Sequence, residues 1–218
     1  MKILIVSGGS IETDFALDFL KKNTFEYVIA VDKGAQFCKD TGIRPDILVG
    51  DFDTLDTSVL DFFEKNGVPV RKFRPEKDDT DMEIALRMAK EKIDDADNSA
   101  VTILGGTGSR LDHMLGTLYC MAGISKEVKC ELVDAHNRVR ILKPGSYVLN
   151  RSECFGDYIS LLPLGGDAKG ITLKGFKYPL ENYTMTCCNS LGISNELVDE
   201  KSVIRLADGL LAMFETRD

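Results

Sequence analysis

The sequence lacks any stretch built to cross or enter a membrane. Its first apolar run, Ile3 to Val6, ends after four residues at Ser7-Gly8-Gly9, short of the roughly 7–15 residues of a secretory leader. No segment approaches the about 20 apolar residues of a membrane span. The expected location is therefore the cytoplasm. C-x-x-C spacing is also absent. Cys38, Cys120, Cys130, Cys154, Cys187 and Cys188 are spaced for neither a zinc cluster nor a small disulfide framework, so reduced thiols are expected. Adjacent Cys187 and Cys188 would point to opposite faces of a strand. A Walker P-loop and a G-x-G-x-x-G fingerprint are missing, as are internal repeats and low-complexity tracts. Positive charge is scarce: the net charge is -8. Nucleic acid and anionic membranes would be repelled, whereas a cation, or an anion carried with metal ions, is compatible.

What remains is a globular composition, with 44% hydrophobic and 28% charged residues, which argues against disorder. The 218 residues suffice for one large domain or two small ones. The short continuous apolar run Ile3–Val6, followed by the runs Tyr27–Val31, Ile47–Val49, Val68–Phe73, Val101–Leu104 and Val128–Val133, reads as a series of strands of a buried parallel sheet. Between them Phe15–Leu20, Val59–Phe63, the Met82, Ala85, Leu86, Ala89, Ile93 series and the Leu111, Leu115, Leu118, Ala122 series have helical spacing. Alternating strands and helices predict an α/β domain with a mostly parallel, Rossmann-like sheet over residues 1–136. From Asn137 onward glycine turns separate short β-rich runs, predicting a smaller all-β sandwich over residues 137–218.

Ligands of an open parallel sheet bind beyond the carboxyl ends of its strands. Polar clusters fall at those ends: Asp32; Gly50-Asp51-Phe52-Asp53-Thr54; Asp78-Asp79-Thr80-Asp81; and Gly105-Gly106-Thr107-Gly108-Ser109-Arg110. On extended backbone Asp51 and Asp53 would face the same way, and two carboxylates aimed at one point call for a cation such as magnesium between them. A polar turn capping the next helix is the plainer alternative. Thr80 and Glu83 fit a capping box, yet three aspartates in four residues exceed what a cap needs. In the glycine loop, Gly106, Gly108 and Ser109 would present backbone amides to phosphate, and Arg110 would grip it. Ser109 with Asp112 also fits a capping box. His113 reads as a surface residue, and His136 carries no assignment.

In order, these clusters resemble the thiamine pyrophosphokinase family, bacterial branch. Asp32-Lys33-Gly34-Ala35, Gly175-Phe176-Lys177-Tyr178-Pro179-Leu180 and Ser194-Asn195-Glu196 extend the likeness over nearly the whole chain. The resemblance implies a homodimer that moves diphosphate from ATP to thiamine and releases AMP. It implies magnesium held by Asp51, Asp53 and Asp81. Asp32 would lie near thiamine, and Thr80, Arg110 and Asp112 near the nucleotide phosphates. Tyr178, Ser194 and Asn195 would form the far side of the thiamine pocket, contributed across the dimer. Either Asp32 or Asp81 would accept the hydroxyl proton. Alternatives are a pyrophosphokinase for another hydroxymethyl heterocycle, such as a pterin, and a non-catalytic thiamine diphosphate-binding protein.

Overall fold

Strands that are mostly apolar and buried must be covered on both faces, and strands of this kind organise the first half of the chain. In the structure, a computed structural model that describes residues 1–74, 78–96 and 98–218, the chain forms two compact units, Met1–Ala135 and His136–Asp218. The first unit contains β1 (Lys2–Val6), α1 (Thr13–Lys22), β2 (Tyr27–Val31), α2 (Gly34–Thr41), β3 (Ile47–Gly50) and α3 (Thr57–Lys65). It continues with β4 (Val70–Lys72), α4 (Asp81–Glu91), β5 (Ala100–Leu104), α5 (Leu111–Ile124) and β6 (Lys129–Val133). All its strand pairs are parallel, in the order β4-β3-β2-β1-β5-β6. Ile3, Ile5, Ile29, Leu48, Val101 and Ile103 are all but inaccessible to solvent.

Two boundaries depart from the sequence reading. Helix α2 was not anticipated: it opens on glycine with no side-chain cap and buries only Gly34, Ala35 and Cys38, too few apolar positions to show a period. Strand β4 is shorter than Val68–Phe73 because the Val68 N–H turns back to the Phe63 carbonyl at the end of α3 (3.0 Å) and Pro69 has no N–H to give.

The second unit is antiparallel. It holds β7 (Asn137–Leu142), β8 (Gly145–Asn150), β9 (Tyr158–Pro163), β10 (Ala168–Lys174), β11 (Leu180–Met185), β12 (Lys201–Leu206) and β13 (Leu211–Thr216). Strand β13 pairs with β7 and β9, while β11-β10-β12-β8 form a second sheet. Leu161 and Met213 from the first sheet and Ile171, Leu173 and Ile204 from the second belong to one apolar core. Strand β11 escaped the sequence reading because it is an edge strand with four exposed residues in succession, so nothing in it alternates.

One charge sits within this core. Leu211, Met213 and Glu215 share a face of β13, two residues apart, and Glu215 is 1% exposed. Its carboxylate accepts a hydrogen bond from the Arg140 guanidinium of β7 and another from the Phe155 N–H at 3.0 Å. Removing one partner of a buried pair leaves the other uncompensated. The Arg140 side chain is 33% exposed, so water relieves part of that penalty. Glu215→Ala should therefore lower stability by about 2–4 kcal/mol in urea unfolding; a midpoint unchanged from wild type would show that the pair does not hold the sheet.

Candidate active site

The site begins where the winding of the parallel sheet reverses. Strand β1 lies beside β2 on one side and β5 on the other, and the chain runs outward in opposite directions from that pair. A crevice is left beyond the carboxyl ends of β1 and β5. Here the two glycine loops bond to each other: the Ser7 N–H donates to the Leu104 carbonyl (2.8 Å), Gly9 to Gly105 (2.9 Å) and Ser10 to Thr107 (2.7 Å). The approach is so close that a Cβ on Gly9 would lie 2.1 Å from the Thr107 oxygen and 2.4 Å from that of Gly105. The Thr107 hydroxyl ties the second loop to Asp134, at 2.9 Å, beyond β6.

Above this floor opens a cleft of about 840 Å³. Of the residues expected to act, Asp32, Asp51, Thr80, Asp81, Gly106, Gly108, Ser109, Arg110 and Asp112 line it. Four strand ends thus deliver their polar clusters to one place. Ser7, Lys33 and Thr54 line it as well, although the sequence reading had given them no role. Gly8-Gly9 marks only the end of an apolar run in the sequence, and its value appears once β1 is known to adjoin β5.

Asp32 follows β2 with φ 46°, a left-handed turn that aspartate tolerates better than most residues. Its N–H donates to the Val49 carbonyl at 3.0 Å. The carboxylate lies so close to Gly50 that a Cβ there would sit 1.9 Å from Oδ1, so Gly50 makes room for it.

Asp51 and Asp53 do not behave as an extended pair. Phe52 between them has φ 59° and is 5% exposed; burying its ring holds a bulky residue in a conformation it rarely adopts. The reversal at Phe52 breaks the two-residue alternation, and the Asp53 N–H donates to Asp51 Oδ1 at 3.0 Å. Asp51 lines the cleft, whereas Asp53 is exposed and does not. Among the described residues, no group of three or more His, Cys, Asp or Glu side chains is placed to hold a metal ion.

The run of aspartates also divides. Thr80 caps α4, its hydroxyl accepting from the Glu83 N–H at 3.2 Å. Asp79 accepts from Arg87, nearly two turns inside that helix, at 2.8 Å. Asp78, Asp79 and Asp81 all line the cleft. At α5 the N-cap position belongs to Arg110, without a side-chain cap, so the Ser109–Asp112 capping box does not form. Asp112 instead takes a forked pair of hydrogen bonds from Arg110, Nε to Oδ1 at 3.2 Å and Nη2 to Oδ2 at 2.6 Å. That guanidinium contact lowers the Asp112 carboxyl to about 2. The carboxylate is thus charged at any pH well above that value.

In the second unit Asn195 is 6% exposed, and it is committed to bracing a loop. Its Oδ1 accepts from the Tyr178 and Glu196 N–H groups (3.0 and 2.9 Å), and its Nδ2 donates to the Tyr178 carbonyl (2.9 Å). Ser194, with φ 57°, donates its N–H to the Ser160 hydroxyl at 3.0 Å. Tyr178 is 60% exposed, with Lys177 Nζ 5.8 Å from the ring centre. Tyr178, Ser194 and Asn195 therefore form one local assembly.

Comparison with known proteins decides what this arrangement belongs to. A family model described as thiamin pyrophosphokinase, catalytic domain, matches residues 20–133, and one described as thiamin pyrophosphokinase, vitamin B1 binding domain, matches residues 146–211. The chain belongs to the thiamine pyrophosphokinase family. Thiamine pyrophosphokinase of Bacillus subtilis (strain 168) is 37% identical over 191 residues, 87% of each chain. A crystal structure of thiamine pyrophosphokinase from Bacillus subtilis superposes with a TM-score of 0.86 at 33% identity, covering both chains fully. One from Geobacillus thermodenitrificans gives 0.84 at 31%, covering 100% of this chain and 98% of the other. Thiamin pyrophosphokinase from Candida albicans, at 18% identity over 99% of this chain and 88% of its own, shares the fold with a TM-score of 0.82.

The zipped loops make a test possible. Because both obstacles to a Cβ at Gly9 are backbone oxygens, Gly9→Ala cannot be absorbed by a side chain moving aside. It should cost about 1–3 kcal/mol in denaturant unfolding and impair any activity of this cleft. Wild-type stability together with wild-type activity would contradict the close approach.

Proposed function

We propose that this protein transfers diphosphate from ATP to the hydroxyl of thiamine, giving thiamine diphosphate and AMP. The observation that carries the reading is the meeting of Asp51, Asp81, the glycine loop and Arg110 in one cleft at the switch point of the sheet. Such a transfer is mainly a matter of positioning and charge neutralisation, because the chain itself makes no covalent bond.

The donor set suits magnesium, a hard ion that takes one or two carboxylates and completes its shell with waters and substrate phosphates. Asp51 and Asp81 would hold it, and Asp53, two residues along the same turn, is proposed as the third ligand. Bound there, the ion would neutralise charge on the polyphosphate oxygens. The segment from Gly106 to Ser109 leads into the 14-residue helix α5, whose amino end favours an anion. Arg110 would exchange its fork on Asp112 for one on phosphate. Asp32 or Asp81 would take the hydroxyl proton as oxygen attacks the β-phosphorus and AMP departs. Tyr178, exposed and aromatic, would stack on thiamine's cationic ring, on a scaffold braced by Asn195.

A second copy of the chain is also proposed. Leu111, Leu115 and Tyr119, four residues apart on α5, are 70%, 47% and 52% exposed and form one apolar stripe. The homodimer implied by the resemblance would cover it. The location is proposed to be the cytoplasm: all six cysteines are unpaired, and no helix among the described residues is long and apolar enough to cross a membrane.

Incubation with magnesium, ATP and thiamine, followed by mass detection, should reveal AMP and thiamine diphosphate in equal amounts. AMP formed only with a different hydroxymethyl heterocycle, or tight product binding without turnover, would replace the reading. Asp53→Asn should lower kcat by about 10²-fold or more with an unchanged melting curve. Turnover near wild type would limit the metal's protein ligands to Asp51 and Asp81. Leu115→Glu should shift the molecular mass measured by light scattering from dimer towards monomer; an unchanged mass would move the dimer contact elsewhere.

A further inference from the structure

Strand β11 ends at Met185, and the loop after it carries two thiols that neither the fold nor the proposed reaction uses. Strand geometry would set neighbouring side chains on opposite faces. Cys188 instead has φ 69°, a left-handed turn that reverses the chain. Cys187 and Cys188 are both exposed, and the Cys188 thiol donates to the Cys187 sulfur across 3.9 Å. The loop is built to hold them. The Cys187 N–H donates to Asp167 Oδ1 at 2.8 Å, Asn189 Nδ2 to the Thr186 hydroxyl at 2.6 Å, and the Leu191 N–H to Asn189 Oδ1 at 3.2 Å. Cys38 and Cys130 are buried, and Cys120 and Cys154 are partly so. The loop pair thus presents the two exposed thiols of the chain.

The separation of the sulfurs discriminates between two fates. A disulfide would need them at about 2.05 Å, and adjacent Cα atoms, about 3.8 Å apart, lie below the usual span of such a bridge. A single atom bonded to both sulfurs at about 2.3 Å, a usual metal–thiolate length, would subtend an angle near 115° across the observed 3.9 Å. A pyramidal three-coordinate centre prefers a narrower angle, which a small rotation of the two exposed thiols towards each other would supply. No third His, Cys, Asp or Glu completes a ligand group among the described residues. Tetrahedral zinc, which wants four ligands, is poorly served, and a soft ion content with two thiolates and one outside ligand is favoured.

We propose that Cys187 and Cys188 form a dithiol capture site for one thiophilic, three-coordinate ion of the trivalent arsenical type. The exchange balances with an organoarsenic oxide. The arsenic–oxygen bond gives way to two arsenic–sulfur bonds, the oxygen leaves as water with both thiol protons, and arsenic stays trivalent. The Cys188 proton is retained in the free protein, since its contact with Cys187 favours the neutral thiol. The second sulfur binds within the same loop, so its effective concentration is high. A dithiol adduct should accordingly outlast a single-thiol one.

Phenylarsine oxide is the probe. The intact chain, given one equivalent, should gain one phenylarsenic unit on the peptide containing residues 187–188. The adduct should survive excess 2-mercaptoethanol and be removed by 2,3-dimercaptopropanol. Cys188→Ser, at an exposed position, should weaken retention by about 10²-fold or more and yield to the monothiol, whereas Cys120→Ser should behave as wild type. Uptake equally stable in Cys188→Ser would overturn the proposal. So would a wild-type adduct stripped by the monothiol, or recovery of residues 187–188 as a disulfide with no arsenic taken up. Mass is the readout, so the result is independent of any turnover at the proposed active site.

Discussion

Three backbone hydrogen bonds between the loop after β1 and the loop after β5 support everything above them. They exist because the sheet changes its winding direction between those strands, which leaves two adjacent strand ends with no crossover helix to cover them. Each loop satisfies the other, from the Ser7 N–H to the Leu104 carbonyl through to Ser10 and Thr107. Glycine at position 9 is the condition for that approach, since the partner atoms are backbone oxygens that cannot withdraw. With the floor sealed, the polar clusters of β2, β3 and α4 have a fixed rim to face.

Charge then becomes the organising problem. Asp32, Asp51, Asp78, Asp79 and Asp81 all line one cleft, and unscreened carboxylates this close oppose one another. The chain relieves part of the repulsion itself: Arg87 takes Asp79, and Arg110 takes Asp112. Asp51 and Asp81 line the same cleft. On the proposed reading, a divalent cation brought in with a nucleotide would answer that excess, which would tie the electrostatics of the cleft to diphosphate-transfer chemistry. The same surplus would attract a cationic acceptor.

Much of this was legible in the amino-acid sequence, for identifiable reasons. Runs such as Ile3–Val6 and Ile47–Val49 announce buried parallel strands because nothing polar interrupts them. The clusters at Asp51, Asp81 and Arg110 stand out because they follow such strands. Features that depend on non-local neighbours were invisible. Helix α2 buries too little to show a period, and β11 is an exposed edge. Glu215 looks like any surface acid until β13 is placed beside β7 and Arg140. Local backbone reversals were the other blind spot. Phe52 and Cys188 both adopt left-handed conformations, and each overturns a two-residue alternation, separating Asp53 from Asp51 in one case and joining Cys187 to Cys188 in the other. Asn195 was marked as a binding residue, and the structure adds a bracing role that only its bonds to Tyr178 disclose.

The central claim is that the switch-point cleft holds a polyphosphate through a divalent ion on the carboxylates of separate strand ends. Calorimetric titration with an ATP analogue whose α–β bridge is a methylene group tests it directly, because that bond cannot be transferred. Affinity should fall by about 10²-fold or more when magnesium is replaced by EDTA, and Asp81→Asn should abolish the difference. Equal affinity with and without the ion, or a magnesium effect that persists in Asp81→Asn, would contradict the account.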